Sequence, residues 1–364
     1  MKKFIALSLA LVLALGLCAC GSSTIAASPA ASPTASAAPT ATAKPIVTGL
    51  IGFSFPTSNN EFWQYCINYF EEACKQLGCE GYYDDCNNDT AEQLTDVEAM
   101  ISKGIKALIL APQDSSVCAG ICGICSKAGI PVVIIDRTPS NDVTVGKDYI
   151  TFIGPDDETC GYNQAVALIK AGATKLVAIV GYKGTSVAEG RYAGLQKALK
   201  EYPNVKLLGE EWPGENQDEG DQAFRNLYSA YPDLNGVWCY NDSHGLAVAN
   251  VKQEYGIQDK VVSGGMDGLS PAVDAIKAGT MSLTSGGHYM MPAMAAVILF
   301  DAMNGIKYDG AAATKLTLMV ITKDTADDYL KNYINSTETI DWASRSKALN
   351  ADAVYDFATL FSKK

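Results

Sequence analysis

The segment CAGICGIC at positions 118–125 concentrates side chains that could do chemistry. Its cysteines, Cys118, Cys122 and Cys125, are separated by three and then two residues. Thiolates that converge from an open loop can hold an iron–sulfur cluster, so the spacing raises the possibility of an iron–sulfur enzyme. On a helix, however, the same positions are i, i+4 and i+7 and share one face, where buried cysteines act as small apolar side chains. Because the segment lies between two predicted strands, we favour the helix.

Other catalytic signatures are missing from the sequence. The two histidines, His244 and His288, are far apart and have no metal-ligand spacing such as HExxH. No GxSxG elbow, Walker A motif or GxGxxG fingerprint occurs. We therefore predict a protein that is not an enzyme and uses neither a cofactor nor a metal ion.

Short apolar runs alternate with amphipathic segments along most of the chain. Predicted strands cover 47–54, 106–111, 131–135, 174–181, 236–240 and 260–266. Predicted helices lie near 60–77, 90–103, 115–128, 158–171, 187–201, 217–230, 244–256, 270–278 and 290–304. Continuous Val/Ile/Leu strands between helices are typical of parallel sheets covered on both faces. The series looks doubled, which predicts an α/β fold with two doubly wound, Rossmann-like lobes and a ligand cleft between them.

Polar side chains follow the predicted strand ends, where open α/β sheets bind ligands. Two of the three arginines between residues 46 and 323, Arg137 and Arg191, lie at such ends. Each group also has a purely structural interpretation, because Asp136 and Arg137 could form a loop ion pair and Asn241 or Asp267 could cap a helix. Their recurrence at successive strand ends favours a binding site.

The N-terminus is typical of an exported protein. Lysines at positions 2 and 3 precede an apolar run at 4–17, which is too short to span a membrane. The sequence LCAC at 17–20 resembles a bacterial lipobox, in which cleavage precedes the cysteine. We predict a signal peptide at 1–19 and lipidation of Cys20, with a plain secretory signal as the alternative.

Composition limits the partners and the surroundings of the chain. Residues 20–45 are rich in Ser, Thr, Ala and Pro and are expected to tether the lipidated cysteine to the folded part. The formal net charge of −12 becomes −14 without the two signal-peptide lysines, which disfavours nucleic acid as a partner.

The sequence has eleven cysteines, of which nine remain after removal of Cys18 and lipidation of Cys20, and these nine lack a compact disulfide spacing. We favour free thiols over disulfides.

Five stretches between residues 46 and 323 resemble the sugar-binding lipoproteins of ABC importers, in the ribose-binding-protein cluster of the periplasmic binding protein type I family. They are 57–63, 129–137, 184–195, 231–242 and 264–268. The resemblance implies two lobes joined by a three-segment hinge near Ile153, Gly286 and Thr322. The first lobe would hold 46–153 plus 288–321, and the second would hold 154–287 plus 322–364. We expect an amphipathic helix at 351–364.

The resemblance also implies a set of ligand contacts. The implied contacts are Asn60, Phe62, Trp63, Asp136, Arg137, Arg191, Trp212, Asn241, Asp267 and His288. Flat aromatic side chains would cover the apolar face of a sugar, and the charged and amide groups would bind its hydroxyls. Two positions depart from the family pattern: Glu61 replaces a usual proline, and His288 lies where glutamine is common.

The function implied is capture of a monosaccharide, either a pentose or a hexose, outside the cell by a monomer anchored to the bacterial membrane. Hinge closure would hold the sugar for an ABC permease. A sensor of the same fold, binding a polyol or a furanose signal molecule for chemotaxis or signalling, is the alternative. A sugar-responsive repressor is disfavoured by the signal peptide and by the lack of a helix-turn-helix ahead of residue 46.

Overall fold

A computed structural model describes residues 45–335, 340–357 and 360. The predicted signal peptide, the Cys20 lipidation site and the tether up to residue 44 lie outside the described residues. Within the described part of the chain, no helix combines the length and the apolar character that crossing a membrane requires.

Strands and helices alternate as the sequence predicts. The strands are β1 (Leu50–Phe55), β2 (Glu80–Asp85), β3 (Ala107–Leu110), β4 (Val132–Ile135), β5 (Phe152–Pro155), β6 (Lys175–Ile179), β7 (Lys206–Glu211), β8 (Gly236–Cys239), β9 (Val262–Gly264), β10 (Thr284–Gly286), β11 (Ala313–Leu316) and β12 (Met319–Ile321). The helices are α1 (Glu61–Gln76), α2 (Thr90–Lys103), α3 (Cys118–Lys127), α4 (Asp157–Lys170), α5 (Ser186–Glu201), α6 (Gln217–Ala230), α7 (Asp242–Glu254), α8 (Ser270–Ala278), α9 (Met291–Met303) and α10 (Ala326–Tyr329).

Two parallel sheets form the centres of two lobes. The first lobe contains the order β11-β5-β4-β3-β1-β2, with α1 and α9 on one face and α2 and α3 on the other. The second contains β7-β6-β8-β9, with α4 and α5 opposite α6 and α7. Central strands such as β3 and β4 are buried along their whole length, as expected for sheets covered on both faces. The predicted two-lobe α/β fold is confirmed.

The three cysteines of CAGICGIC lie on the buried face of α3. Cys118, Cys122 and Cys125 pack with Ile121 in the apolar core of the first lobe. Burial raises the pKa of Cys122 and of Cys125 to about 12, which keeps these thiols protonated. Among the described residues, no group of His, Cys, Asp or Glu is arranged to hold a metal ion. The helical interpretation of this segment is therefore confirmed.

Segments at β5, β10 and β12 connect the two lobes. After β5, which ends the run of the first lobe, α4 packs against α5 of the second. β10 and β12 then pair with each other in antiparallel fashion, with Gly286 opposite Met319 and Thr284 opposite Ile321. β10 runs beside the loop that follows β9 of the second lobe, where Asp267 donates its N–H to the carbonyl of Ser285 at 2.6 Å.

Residues 340–357 lie on the first lobe, whereas the sequence assigned them, within 322–364, to the second. Trp342 is fully buried, donates its backbone N–H to Gln76 Oε1 at 2.7 Å and meets the ring of Tyr69 edge-on. Asp301, near the end of α9, accepts the Ser346 hydroxyl at 2.5 Å. These contacts attach residues 340–357 to α1 and α9.

The expected helix at 351–364 is also wrong over residues 351–357, which are not helical. The cause lies in α9, which is apolar on every side and is buried from Met291 to Asp301. Such a helix needs cover beyond the sheet that it packs on. Phe357 supplies part of that cover, and its burial outweighs the local preference for helix.

Candidate functional site

One cavity lies at the carboxyl ends of the strands, between the two lobes. Nine of the ten predicted contacts line it, namely Asn60, Phe62, Trp63, Asp136, Arg137, Arg191, Asn241, Asp267 and His288. Val187, Glu215 and Tyr240 complete the lining. The cavity volume of about 30 Å³ is far below the roughly 300–1,000 Å³ of a typical ligand site, so the two lobes lie close together here. We call this space the inner cavity.

An aromatic wall comes from the start of α1. Asn60 caps this helix by accepting the Phe62 N–H at 2.9 Å, which fixes the two aromatic residues that follow. Trp63 stacks on Phe55 with ring centroids 5.5 Å apart, and Phe62 meets Trp63 edge-on at 5.1 Å. The ring of His288 lies 4.5 Å from that of Phe62. Packing on both sides therefore holds the wall in place before any ligand arrives.

Arg137 lies directly after β4 and contacts both lobes. Its guanidinium donates to the carbonyl and to the Oε1 of Gln113 in the first lobe, the latter at 3.2 Å. Its Nη2 lies 3.5 Å from Oε2 of Glu215 in the second lobe, and its Nε lies 3.9 Å from Asp136. Burial raises the pKa of Asp136, and the neighbouring guanidinium opposes that rise. We call this group the Arg137 centre.

Arg191, on α5, forms its hydrogen bonds and its ion pairs with groups of its own lobe. Its Nε donates to Asp157 Oδ1 at 3.1 Å, its Nη1 donates to the Tyr240 carbonyl at 2.9 Å, and Nη1 lies 3.8 Å from Asp267. The guanidinium also lies over the Tyr240 ring, 4.9 Å from its centroid. Gly161 lets α4 approach α5 this closely, because a Cβ there would overlap the Arg191 carbonyl. We call this group the Arg191 centre.

Two of the aspartates are held in strained backbone conformations. Asp136 has a φ of 64° and Asp267 has a φ of 130°, a region that residues other than glycine rarely occupy. Such strain costs of order 1–3 kcal/mol and persists where the surrounding structure imposes it, often at functional sites. Both turns direct a carboxylate into the inner cavity.

His288 contributes a neutral ring. It follows Gly287, is almost fully buried, and has its Nε2 3.9 Å from Asp267 Oδ1. Burial, assisted by Arg191, lowers the pKa of His288 well below its usual value. Its Nδ1 has no hydrogen-bond partner among the residues that the structure describes. The site therefore presents one unpaired imidazole nitrogen.

Asn241 combines a structural role with a place in the lining. Its Oδ1 accepts the His244 N–H at 2.9 Å and so caps α7, as the structural interpretation of this residue predicts. Its Nδ2 donates to the Glu215 carbonyl at 2.8 Å. The second amide hydrogen is the one that remains for a ligand.

Trp212 does not line the inner cavity. Its indole lies edge-on to Tyr192 with centroids 5.0 Å apart, and its Nε1 donates to Glu210 Oε1 at 3.1 Å. Tyr240 occupies the second-lobe side of the inner cavity instead. Tyr240 could have been recognised from the sequence, because it is the last residue of the predicted strand 236–240. Glu215 lies in a loop, where no sequence pattern indicates a site residue.

The lining provides donors and acceptors in a form suited to neutral polar ligands. Each guanidinium is flanked by two carboxylates and lines the inner cavity, so the site offers N–H donors beside carboxylate acceptors. The aromatic wall offers an apolar surface opposite them.

Comparison with known proteins now identifies the family. A family model for the periplasmic binding protein domain matches residues 51–307. The chain belongs to this family. The ribose import binding protein RbsB of Bacillus subtilis is 28% identical over 237 residues, which cover 64% of this chain and 74% of that protein. The xylitol-binding protein of Mycolicibacterium smegmatis is 25% identical over 268 residues, covering 72% and 74%.

Solved structures of the family share the fold. A periplasmic sugar-binding protein from Pseudomonas fluorescens superposes with a TM-score of 0.77 at 22% identity, over 87% of this chain and all of that one. An ABC transporter solute-binding protein from Mycobacterium smegmatis, solved with glycerol, gives 0.69 at 27% identity, over 79% and 98%. These relatives confirm the resemblance to type I periplasmic binding proteins of the ribose-binding cluster. The family consists of substrate-binding proteins for transporters rather than enzymes, in agreement with the sequence prediction.

Proposed function

We propose that this chain is an extracytoplasmic substrate-binding lipoprotein that captures a monosaccharide between its lobes and delivers it to an ABC permease. The observation that carries the proposal is the convergence of two buried arginine–carboxylate groups, one from each lobe, on a single cavity with an aromatic wall. The named relatives bind ribose and xylitol, which supports a sugar or polyol as the ligand class. A pentose or hexose is our first choice.

The site residues would divide the work of binding. Phe62 and Trp63 would cover the apolar face of the ring, while Asp136 and Arg137 bind adjacent hydroxyls from the first lobe. Arg191 and Asp267 would bind hydroxyls from the second lobe. An unpaired hydroxyl in a closed, dry cleft would cost about 1–3 kcal/mol, so these few groups can select one sugar.

Closure would follow from contacts that both lobes make at once. Arg137 meets Glu215 across the cleft at 3.5 Å, and the Thr138 N–H donates to Ser186 Oγ at 3.3 Å. With an inner cavity of about 30 Å³, a sugar would enter only when the lobes separate. A ligand that binds groups on both lobes would then favour the closed state, which the permease distinguishes from the open one.

The N-terminal sequence supplies the proposed location. Cleavage before Cys20 and lipidation of that residue would anchor the protein to the outer surface of the bacterial cell membrane. The segment up to residue 45 would let the folded part reach the permease. Mass spectrometry of the membrane fraction, with a Cys20→Ala variant as control, would detect the lipid; an unlipidated, secreted wild-type protein would contradict the anchor.

A thermal-shift screen tests the ligand class. The purified protein is heated with pentoses, hexoses, polyols and nucleosides, each at high concentration. A ligand present at a hundred times its Kd stabilises the fold by about 2.7 kcal/mol, which raises Tm by several degrees. We expect at least one monosaccharide to do so, and Asp267→Ala to abolish the shift. A shift with another class and none with any sugar or polyol would contradict the proposal.

A further inference from the structure

A second, larger cavity adjoins the inner cavity at the mouth of the cleft. Its volume is about 520 Å³, which lies within the roughly 300–1,000 Å³ of small-molecule sites. Both lobes line it, and Asn60 and Glu215 line it together with the inner cavity. These two residues therefore stand at the boundary between the two spaces. We call the larger space the outer chamber.

The outer chamber is rich in side-chain amides that the protein does not use. Asn59, Asn88 and Gln217 all line it. Over the described ranges 45–335, 340–357 and 360, none of these three amide groups has a hydrogen-bond partner. An amide both donates and accepts, as a sugar hydroxyl does, so three of them can satisfy a row of hydroxyls.

An exposed aromatic ring lies in the same chamber. Tyr182 contributes to the lining from the second lobe and is 48% exposed, among the most exposed large aromatic side chains of the described residues. A flat ring bearing a hydroxyl offers an apolar face and a polar edge, which is the combination that a sugar ring requires. Leu269 and Pro271 add apolar surface to the chamber.

Backbone strain marks the first-lobe edge of the chamber. Asn87 and Asn88 follow each other in left-handed conformations, with φ of 48° and 62°. The Asn88 N–H donates to the Pro56 carbonyl at 2.8 Å, and Asn87 Nδ2 donates to Glu92 Oε1 at 3.0 Å. Consecutive strained residues persist where the surroundings impose them, and here they place the Asn88 side chain in the chamber lining.

We propose that the outer chamber binds a second sugar ring, so that the site also accepts a disaccharide or glycoside whose terminal monosaccharide occupies the inner cavity. One ring occupies the inner cavity between the two arginine centres. The glycosidic oxygen passes Asn60 and Glu215, and the second ring lies against Tyr182 with its hydroxyls on the chamber amides. This inference rests on the proposed function, because the first ring uses the site described there.

Calorimetric titration with matched sugar pairs tests the inference. The probes are D-xylose with xylobiose, D-glucose with cellobiose and maltose, and D-galactose with lactose and melibiose. We expect at least one disaccharide to bind at least tenfold more tightly than its component monosaccharide. Tyr182→Ala and Asn88→Ala should each remove most of that gain and leave the monosaccharide Kd unchanged. Tyr255→Ala, which removes another exposed tyrosine of the second lobe, is the matched control and should preserve the gain.

The outcomes separate this inference from the proposed function. Monosaccharide binding with no gain for any disaccharide overturns the second ring and keeps the proposed function. A Tyr182→Ala variant that weakens monosaccharide and disaccharide equally also overturns it, since the ring would then act on the inner cavity. If Tyr182→Ala does not fold, Asn88→Ala and Gln217→Ala decide the same question. Failure of every monosaccharide and disaccharide to bind overturns both proposals.

Discussion

The Arg137 and Arg191 centres look alike in composition but differ in which parts of the molecule they join. Each has one guanidinium flanked by two carboxylates. Arg191 finds its partners Asp157 and Asp267 within the second lobe, and is 3% exposed. Arg137 instead reaches across the cleft to Glu215, whose side chain keeps 21% of its surface exposed.

This difference separates two roles that a binding site requires. A group whose partners all belong to one lobe is preorganised and remains in place when the lobes separate. A group whose partner lies on the other lobe gains that contact only when the lobes meet. Such a contact stabilises the closed state relative to the open one. We therefore expect changes at the Arg191 centre to affect folding as well as binding, and changes at the Arg137 centre to affect mainly binding.

Arg191→Ala should have the largest effect. Removing this guanidinium leaves Asp157 and Asp267 buried without their cation, which typically costs about 3–5 kcal/mol in unfolding free energy. Urea denaturation followed by circular dichroism measures the loss. A destabilisation under about 1 kcal/mol would show that Asp157 and Asp267 do not need this guanidinium in the folded state. It would contradict the proposed difference between the two centres.

Arg137→Ala should weaken sugar binding by about 2 kcal/mol or more, roughly thirtyfold in Kd, because one partner of a buried charge pair is lost. Its unfolding free energy should change by only about 1 kcal/mol, since Glu215 is partly exposed and water can hydrate it in place of the lost guanidinium. Arg137→Lys is the matched variant, which keeps the charge and loses the planar fork. Normal sugar binding by the alanine variant would contradict the assignment.

Asp157→Asn should change how stability depends on pH. Burial raises the pKa of Asp157 to about 7, against the opposing influence of Arg191. A carboxyl with a raised pKa takes up a proton on folding, so its contribution is full below about pH 4 and is lost as the pH rises through 7. Between these values the wild-type unfolding free energy should fall relative to that of the variant, by up to about 1.4 kcal/mol per pH unit. If the unfolding free energies of the wild type and the variant change in parallel with pH, Asp157 does not take up a proton on folding.

Glu215→Gln should have the smallest effect on stability, under about 1 kcal/mol, because the ion pair that it loses crosses to the other lobe, its side chain is partly exposed, and glutamine can still accept the Tyr240 hydroxyl. The loss should appear instead in closure. Small-angle scattering of the sugar-free protein should show a larger radius of gyration for the variant than for wild type. An unchanged radius of gyration together with a large loss of unfolding free energy would show that Glu215 contributes to folding rather than to closure.

The position of the first-lobe residues in the cavity lining could be predicted from the sequence for a topological reason. Parallel strands end at one edge of a sheet, so Asn60, Asp136 and Arg137 had to lie near one another once their strands were recognised. Edge strands were harder to recognise: β2 and β7 are half-exposed and carry acidic residues, so they lack the apolar run of a central strand.

Other features depend on tertiary contacts that no local pattern carries. Glu215 reaches the inner cavity from a loop, and its importance comes from Arg137 on the facing lobe. Trp212 packs on Tyr192 and lies away from the inner cavity. The C-terminal segment follows the apolar surface of α9, which outweighs the helical pattern of its own residues.

A crystal structure of the protein with the sugar selected by the thermal-shift screen tests the central claim most directly. The account predicts one sugar ring between the lobes, with hydroxyls within hydrogen-bond distance of both Arg137 and Arg191 and with an apolar face against Phe62 or Trp63. A sugar bound elsewhere, or one held by a single lobe without contact to both arginines, would contradict it.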